Sequence, residues 1–236
     1  MKIFIFNIPQ TPTKPILPAW LRPLCQFDIC YRLAKLQGHK IDGVRYVDDT
    51  GLQVAKLMVL KEKISLPPKC IGEYLGEKYI EANKLPRERA ERLKLELEQN
   101  PFARPFLMAN IKEQEKYFSL MGIKHFPVFW ESDLIKKIPN LIKKLKKREE
   151  VLDYSYWQGN IYLDYSEKGM RPIVLKGKTG YTYLAKLLTF LENIKNNYEL
   201  IILQRIDEDK HPFDYCEEYL KREKKRYFCW PREGLK

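Results

Sequence analysis

The sequence lacks the features that mark metal centres, disulfide frameworks, membrane spans and secreted proteins. Its five cysteines are scattered and form no Cys-x-x-Cys pair, which argues against a zinc site or a disulfide framework. No window approaches the roughly 18 uncharged apolar residues of a membrane-spanning helix. The opening segment MKIFIFNIPQ has neither the basic region nor the small-residue cleavage site of a signal peptide. We therefore expect a cytoplasmic protein with reduced thiols and no membrane partner.

Acidic residues are too few to balance the basic ones. Lysine and arginine number 43 against 31 aspartates and glutamates, which gives a formal net charge of +12. Such an excess favours a polyanionic partner, most simply RNA or DNA, because binding releases the counterions condensed on the phosphates. Chains rich in lysine and glutamate also occur where solubility or heat resistance is the only reason, so charge alone leaves both interpretations open.

Glycine and histidine are both absent from the first turn, TPTKPILPAWLR, at residues 11–22. An apolar run precedes this turn, and an apolar-periodic helix follows it. A strand-to-helix turn near the start of an α/β chain is where nucleotide phosphates usually bind. The three prolines and the tryptophan of this turn therefore indicate either a nucleotide site of unusual type or the remains of one.

The first 65 residues predict one half of a Rossmann-like α/β core. The predicted elements are a buried strand at 3–8, a helix at 20–37, a strand at 44–47 and a helix at 52–63. Gly38 is a plausible stop for the first helix, which then serves as a right-handed crossover between two parallel strands. This order predicts a doubly wound parallel sheet whose site lies at the carboxyl ends of the strands.

The remaining chain predicts a helical insertion followed by the second half of the core. Residues 66–150 are expected to be a mainly helical insertion that ends with a short strand and a helix capped by Ser132 or Asp133. The second half, 151–236, opens with a β-hairpin around the sequence WQGN. Its other predicted elements are strands at 173–176, 200–204 and 227–230 and helices at 183–194 and 213–223.

Residues 38–57, GHKIDGVRYVDDTGLQVAKL, resemble the catalytic domain of arginyl-tRNA synthetase, a class I aminoacyl-tRNA synthetase. That family has an Asn-Asp-x-Gly-x-Gln loop, which is DDTGLQ here. Further similar segments follow in the family's order: FPVFWESDLIKKI, NIYLDYSEKG, IVLKGKTGYTYLAKLL and a late stretch that contains Asp207, Glu208 and His211. Together they cover most of the chain. The resemblance implies a Rossmann-like synthetase core and tRNA, or another RNA, as a partner.

Both ATP signatures of that family depart from its pattern. The HIGH signature falls on Leu17, Pro18, Ala19 and Trp20, so the two histidines that stabilise the developing charge on the triphosphate are replaced. The KMSKS loop would begin where the sequence stops, and no anticodon-binding domain is expected. The resemblance therefore implies a divergent, truncated paralogue without adenylate formation. No cofactor is expected, although the helix N-terminus and nearby Arg22 leave weak binding of ATP possible.

The resemblance also assigns candidate substrate-binding residues. The family's amide contact to the α-amino group falls on Thr11, and its tyrosine for the arginine side chain on Tyr183. Its aspartate is Leu187 here, and its glutamine is Glu208, which could accept from a guanidinium. The full set of candidates is Thr11, Arg22, Asp49, Gln53, Tyr183, Glu208 and His211. Simpler roles stay open, since the two loop residues could cap a helix, the tyrosine could be core, and the last two could be surface residues.

Two basic runs are candidates for contact with RNA. The first consists of Lys136, Lys137, Lys143, Lys144, Lys146, Lys147 and Arg148. The second is KREKKR at 221–226. Either could be a solvated helix face instead. The aromatic residues of the hairpin, Tyr154, Tyr156, Trp157, Tyr162 and Tyr165, could stack on bases, but strand alternation makes sheet packing their first role.

Two hypotheses follow from the sequence. In the first, the chain is a catalytically degenerate relative of the synthetase catalytic domain that acts by binding RNA, another synthetase or some other protein. In the second, it is an enzyme of altered specificity that uses the cleft to activate a nucleotide or an amino acid.

Overall fold

We analysed a computed structural model of the chain, which describes residues 1–6, 11–67, 69–156, 159–204 and 210–230. Its centre is a five-stranded parallel sheet. The strands are β1 (Lys2–Phe6), β2 (Lys40–Val47), β3 (Val128–Trp130), β8 (Leu200–Gln204) and β9 (Arg226–Trp230). Their order across the sheet is β3-β2-β1-β8-β9. All four pairings are parallel, so the predicted α/β doubly wound fold is confirmed.

The first strand is apolar on both faces because both faces of the sheet are covered. Phe4 and Phe6 pack into the largest apolar cluster of the described residues, with the helices of the second half. Ile3 and Ile5 point to the opposite face and pack with Phe27. This explains why the sequence of the strand lacks polar alternation.

Eight α-helices lie among the described residues. Their bounds are α1 (Pro18–Leu36), α2 (Leu52–Met58), α3 (Ile71–Ala82), α4 (Arg87–Gln99), α5 (Arg104–Leu120), α6 (Ile138–Lys146), α7 (Tyr183–Ile194) and α8 (Lys210–Arg222). Short 3₁₀ segments follow α2 at Lys61–Lys63, precede α6 at Glu131–Lys137 and follow the hairpin at Ser166–Lys168. The predicted helix over 52–63 therefore ends early, and Ser132 and Asp133 cap no helix, since the 3₁₀ segment has no side-chain cap.

The helical insertion has an apolar core of its own. Buried residues of α2, among them Leu57 and Met58, pack with Leu75, Leu97 and Leu107 from α3, α4 and α5. The helix α2 thus shares a core with the segment predicted to be the insertion, although it precedes residue 66. The division into 1–65, 66–150 and 151–236 stays a prediction.

A second sheet is antiparallel and contains the predicted hairpin. Its strands β4 (Val151–Tyr154), β5 (Asn160–Leu163), β6 (Ile173–Gly177) and β7 (Gly180–Tyr181) are adjacent in chain order. Tyr154 pairs with Asn160 at the end of the hairpin. Strand β7 was not predicted, because two residues are too few to show a period. Within the described parts of the chain, no helix is both long and apolar enough to cross a membrane.

Candidate functional site

The loop that follows β2 lies at the carboxyl ends of the parallel strands, where doubly wound α/β proteins bind their ligands. Asp48 organises this loop, since its Oδ1 accepts from the backbone N–H of Thr50 at 3.0 Å and of Gly51 at 2.5 Å. Its Oδ2 accepts from the Thr11 hydroxyl at 3.5 Å. The hydrogen bond between Thr11 and Asp48 joins the first turn of the chain to the loop after β2 and places Thr11 at the same edge of the sheet.

Asp49 is a buried structural anchor rather than a helix cap. Its carboxylate accepts from the Ser132 N–H at 2.8 Å, from the Ser132 hydroxyl at 2.5 Å and from Arg104 Nε at 2.8 Å. Burial raises the pKa of Asp49 despite these hydrogen bonds. The helix that follows, α2, has Gly51 as its N-cap residue and no side-chain capping hydrogen bond, so the capping role considered for Asp49 and Gln53 is wrong.

A buried ion pair lies behind the loop. Lys186 Nζ donates to Glu131 Oε1 at 2.6 Å and to Thr50 Oγ1 at 2.7 Å, and Lys186 and Glu131 are each 1% exposed. Burial raises the pKa of Glu131 and the charge of Asp48 adds to that rise, whereas the ammonium of Lys186 lowers it. Burial alone would lower the pKa of Lys186, but the charges of Glu131 and Asp48 raise it. The pair therefore keeps the ammonium charged inside the protein.

A cleft of about 390 Å³ opens in front of this pair. Gln53 from α2 and Tyr183 from α7 both line it, together with Asp48, Glu131 and Lys186. Glu131 Oε2 is buried and has no hydrogen-bond partner among the described residues. The volume is within the range of small-molecule sites, which begin at about 300 Å³. The structure therefore brings Gln53 and Tyr183 to one cleft that carries a buried acceptor.

Arg22 and Asp49 do not line this cleft. Arg22 is exposed on α1, and Asp49 is fully buried beside Arg104. Glu208, like Asp207, lies outside the described residues, as does the side chain of His211. Their roles stay predictions.

The first turn is held against the helical insertion. Asn110 Nδ2 donates to the carbonyl oxygens of Pro12 at 3.0 Å and Lys14 at 2.9 Å. A Cβ at Gly72 would lie 2.8 Å from Pro15 Cα, so only glycine allows α3 to approach this closely. Leu17 is the N-cap residue of α1, and the helix has no side-chain capping hydrogen bond there. The side chain of Trp20 lies outside the described part.

The first basic run divides into anchored and exposed residues. Lys144 contacts Glu192 and Glu223, Lys146 pairs with Asp153, and Arg148 pairs with Glu223. The other four residues are exposed and form no ion pair with a described residue; we call them the basic surface: Lys136, Lys137, Lys143 and Lys147.

The second basic run is likewise only partly exposed. Arg222 pairs with Glu150, Glu167 and Glu218, whereas Lys224 and Arg226 are exposed at the turn into β9. Glu223 lies between Arg222 and Lys224 in the sequence and accepts a hydrogen bond from Lys144 Nζ at 2.8 Å. This contact brings the end of the second run close to α6.

Several residues of the site have no separate signal in the sequence. Lys186 stands in the otherwise apolar stretch YLAKLLTFL, where a lone charge on a buried face calls for a partner. The partner, Glu131, is 55 positions earlier. Lys94, which also lines the cleft, forms an i,i+4 ion pair with Glu98. The sequence shows this spacing, but the same spacing is common on solvent-exposed helices and therefore does not mark a site.

The fold is that of a class I aminoacyl-tRNA synthetase catalytic core. The structure of Thermus thermophilus arginyl-tRNA synthetase superposes with a TM-score of 0.77 at 18% identity, over 97% of this chain and 48% of that chain. Arginyl-tRNA synthetase from Plasmodium falciparum gives the same TM-score and identity, over 97% of this chain and 42% of that one.

Within that class, the chain is homologous to the arginyl-tRNA synthetases over most of its length, at low identity. The arginine–tRNA ligase of Helicobacter pylori strain Shi470 is 26% identical over 217 residues, which is 84% of this chain and 38% of the relative. That of Pyrococcus abyssi is 26% identical over 174 residues, 63% of this chain and 27% of the relative. The chain thus spans well under half the length of these curated relatives. No family model matches it.

Proposed function

We propose that this arginyl-tRNA synthetase homologue acts by binding RNA through the basic surface and forms no aminoacyl-adenylate. The division of the first basic run carries the proposal. Three of its seven residues neutralise carboxylates of the protein itself, and the other four face solvent. Unpaired lysines are available to phosphates, whereas paired ones are not, because a new contact would first have to break an internal one.

The helix α6 presents Lys143, and Lys147 directly follows it, while its other face is buried; Lys136 and Lys137 lie in the 3₁₀ segment that precedes it. Ile138, Leu141, Ile142 and Leu145 pack into the core. Lys143 and Lys147 are separated by one helical turn and therefore project from the same side. The arrangement offers a row of positive charge that a polyanion can follow. tRNA is the RNA that the homology favours, and a cytoplasmic location fits this partner.

Binding of bulk tRNA over a salt series tests the proposal. Replacing the four lysines of the basic surface by glutamine should weaken binding at low salt and reduce the slope of log K against log salt by up to roughly 3, since each phosphate contact contributes about 0.7 to 0.9. The matched control replaces four exposed lysines elsewhere by glutamine: Lys35, Lys40, Lys112 and Lys116. An equal loss in both variants, or a wild-type slope near zero, contradicts the proposal.

The absence of adenylate formation has a separate basis. Positions 17–20 provide no imidazole, and Leu17, the N-cap residue of α1, forms no side-chain capping hydrogen bond. Each lost oxyanion-type contact lowers the rate by roughly 10²–10³. We expect no ATP–pyrophosphate exchange with any amino acid, and exchange at an enzyme-like rate would refute this half of the proposal.

The alternative function is an enzyme of altered specificity that uses the cleft. It is favoured by Glu131, which lines the cleft together with Gln53 and Tyr183 and whose buried Oε2 has no hydrogen-bond partner in the described part of the chain. This alternative predicts saturable heat with ATP, arginine or lysine in calorimetry, and loss of that heat in Gln53→Ala. If no ligand of the three gives heat, the alternative fails while the RNA-binding proposal stands.

A further inference from the structure

The β4–β5 hairpin carries two tyrosines that are open to solvent. Tyr156, two positions after the end of β4, is 101% exposed, and Tyr154 at the end of the strand is 38% exposed. An exposed tyrosine ring offers an aromatic surface on which a planar group can stack. Trp157 and Gln158 lie outside the described residues.

The ring of Tyr154 is supported from behind. Its centroid lies 6.0 Å from that of Tyr162, with the planes at 67°. The hydroxyl of Tyr162 in turn accepts from Asn160 Nδ2 at 3.0 Å. An edge-to-face contact of this kind restricts the orientation of a ring.

An ion pair joins the hairpin to the basic surface. The ammonium of Lys146, in the last turn of α6, binds the carboxylate of Asp153 in β4. Asp153 also accepts from the Ser155 N–H at 3.0 Å, and the contact with Lys146 is the main reason that the pKa of Asp153 falls to about 2. The pair therefore stays ionised and holds the hairpin beside the helix.

The lysines and the tyrosines are consequently neighbours. Lys143 precedes Lys146 by three positions and lies next to it on the helix surface, and Lys147 follows Lys146 directly at the end of α6. Tyr156 follows Asp153 by three residues, which span at most about 10 Å. A backbone whose phosphates contact these lysines thus passes within reach of the two tyrosine rings.

We propose that the basic surface and the hairpin residues Tyr154 and Tyr156 form one site for single-stranded RNA. The lysines contact the phosphates, and the tyrosine rings stack on unpaired bases. This assignment rests on the RNA binding proposed above and adds the kind of RNA. Bases inside a duplex expose no face for stacking, whereas stacking on aromatic side chains is the usual way of holding a single strand without reading its sequence.

The test compares an unstructured 12-nucleotide RNA with a 12-base-pair RNA duplex by fluorescence anisotropy at low salt. We expect Tyr154→Ala/Tyr156→Ala to bind the single strand roughly tenfold or more weakly, given typical effects of removing a stacking ring. Its salt slope and its affinity for the duplex should stay at the wild-type values. Tyr154→Phe/Tyr156→Phe keeps both rings and should bind like the wild type.

Tyr117→Ala is the matched control, because that tyrosine is 49% exposed on α5 away from the hairpin. It should change nothing. Tyr156 is fully exposed and Tyr154 and Tyr117 are partly exposed, and the far-ultraviolet circular dichroism of each variant verifies folding.

The outcomes separate this inference from the proposed function. If the lysine variant loses binding and the double alanine variant does not, the tyrosines are not part of the site and only this inference fails. If the double variant weakens duplex binding as strongly as single-strand binding, stacking is also refuted. If neither variant changes affinity for either RNA, both proposals fail.

Discussion

The cleft and the basic surface use charged residues in opposite ways. At the cleft, Lys186 is almost completely buried and bound to a carboxylate and a hydroxyl. On α6, Lys143 and Lys147 face solvent without an ion pair to any described residue. Charges inside a protein must be matched by the protein itself, whereas exposed charges can be matched by a partner. The comparison therefore separates residues that hold the fold from residues available for binding.

The largest effect is expected from breaking the buried pair. Lys186→Met leaves the carboxylate of Glu131 buried without its cation, which should lower the free energy of unfolding by about 3–5 kcal/mol at neutral pH. Urea denaturation measures this loss. A loss below about 1 kcal/mol would mean that the pair is not the structural element that its burial implies.

The anchor of the loop should have the next largest effect. Asp49→Asn removes the charge that accepts from Arg104 and Ser132, and the expected loss is about 1.5–3 kcal/mol, as for a hydrogen bond to a charged group. The matched control is Asp133→Asn, whose carboxylate also contacts Arg104 but is 52% exposed. That exposed pair should contribute at most about 1 kcal/mol, so equal losses would contradict the assignment.

Glu223 is a carboxylate that the protein itself neutralises, so its contribution to stability should depend on pH. Burial opposes its ionisation, but hydrogen bonds from Lys144, Lys195 and Arg148 lower its pKa to about 2. Because the folded pKa lies below the unfolded one, near 4.3, this stabilisation is present above that value and is lost as pH falls towards 2. The melting temperature of the wild type should therefore fall more steeply between pH 4.5 and pH 2, as a rough window, than that of Glu223→Gln. If the melting temperatures of the wild type and of Glu223→Gln fall in parallel over this pH range, the prediction is wrong.

The smallest effect on stability is expected at the basic surface. Lys143→Gln and Lys147→Gln break no ion pair to a described residue, so each should change the free energy of unfolding by no more than about 0.5 kcal/mol. RNA affinity should nevertheless fall in both. A large loss of stability in either variant would show that these lysines help to hold the fold.

Local patterns predicted most of the elements. The helix at 183–194 and the strand at 200–204 have the predicted bounds, because a long apolar run and a short β-branched one leave little choice of structure. The strand predicted at 44–47 begins instead at Lys40. Residues 40–42 pair with the first strand of the chain, and this partner is invisible to a local pattern.

The site was less predictable than the fold. The family resemblance pointed to Gln53 and Tyr183, and both line the cleft, although their role in binding stays a prediction. The capping role considered for Asp49 was wrong, since its partners Arg104 and Ser132 lie 55 and 83 residues away. Spacing along the chain carries no information about contacts at such separations.

The sequence by itself determined the class of fold, the surplus of positive charge and the absence of histidine and glycine from the first turn. These depend on local periodicity, on composition and on residue identity, all of which are written along the chain. Only the tertiary structure decided which lysines are neutralised. Lys144 and Lys147 are three positions apart in one basic run, yet one meets Glu192 and Glu223 and the other meets solvent. Whether a charge is paired depends on the residues that folding brings within about 4 Å of it, and those come from distant parts of the chain.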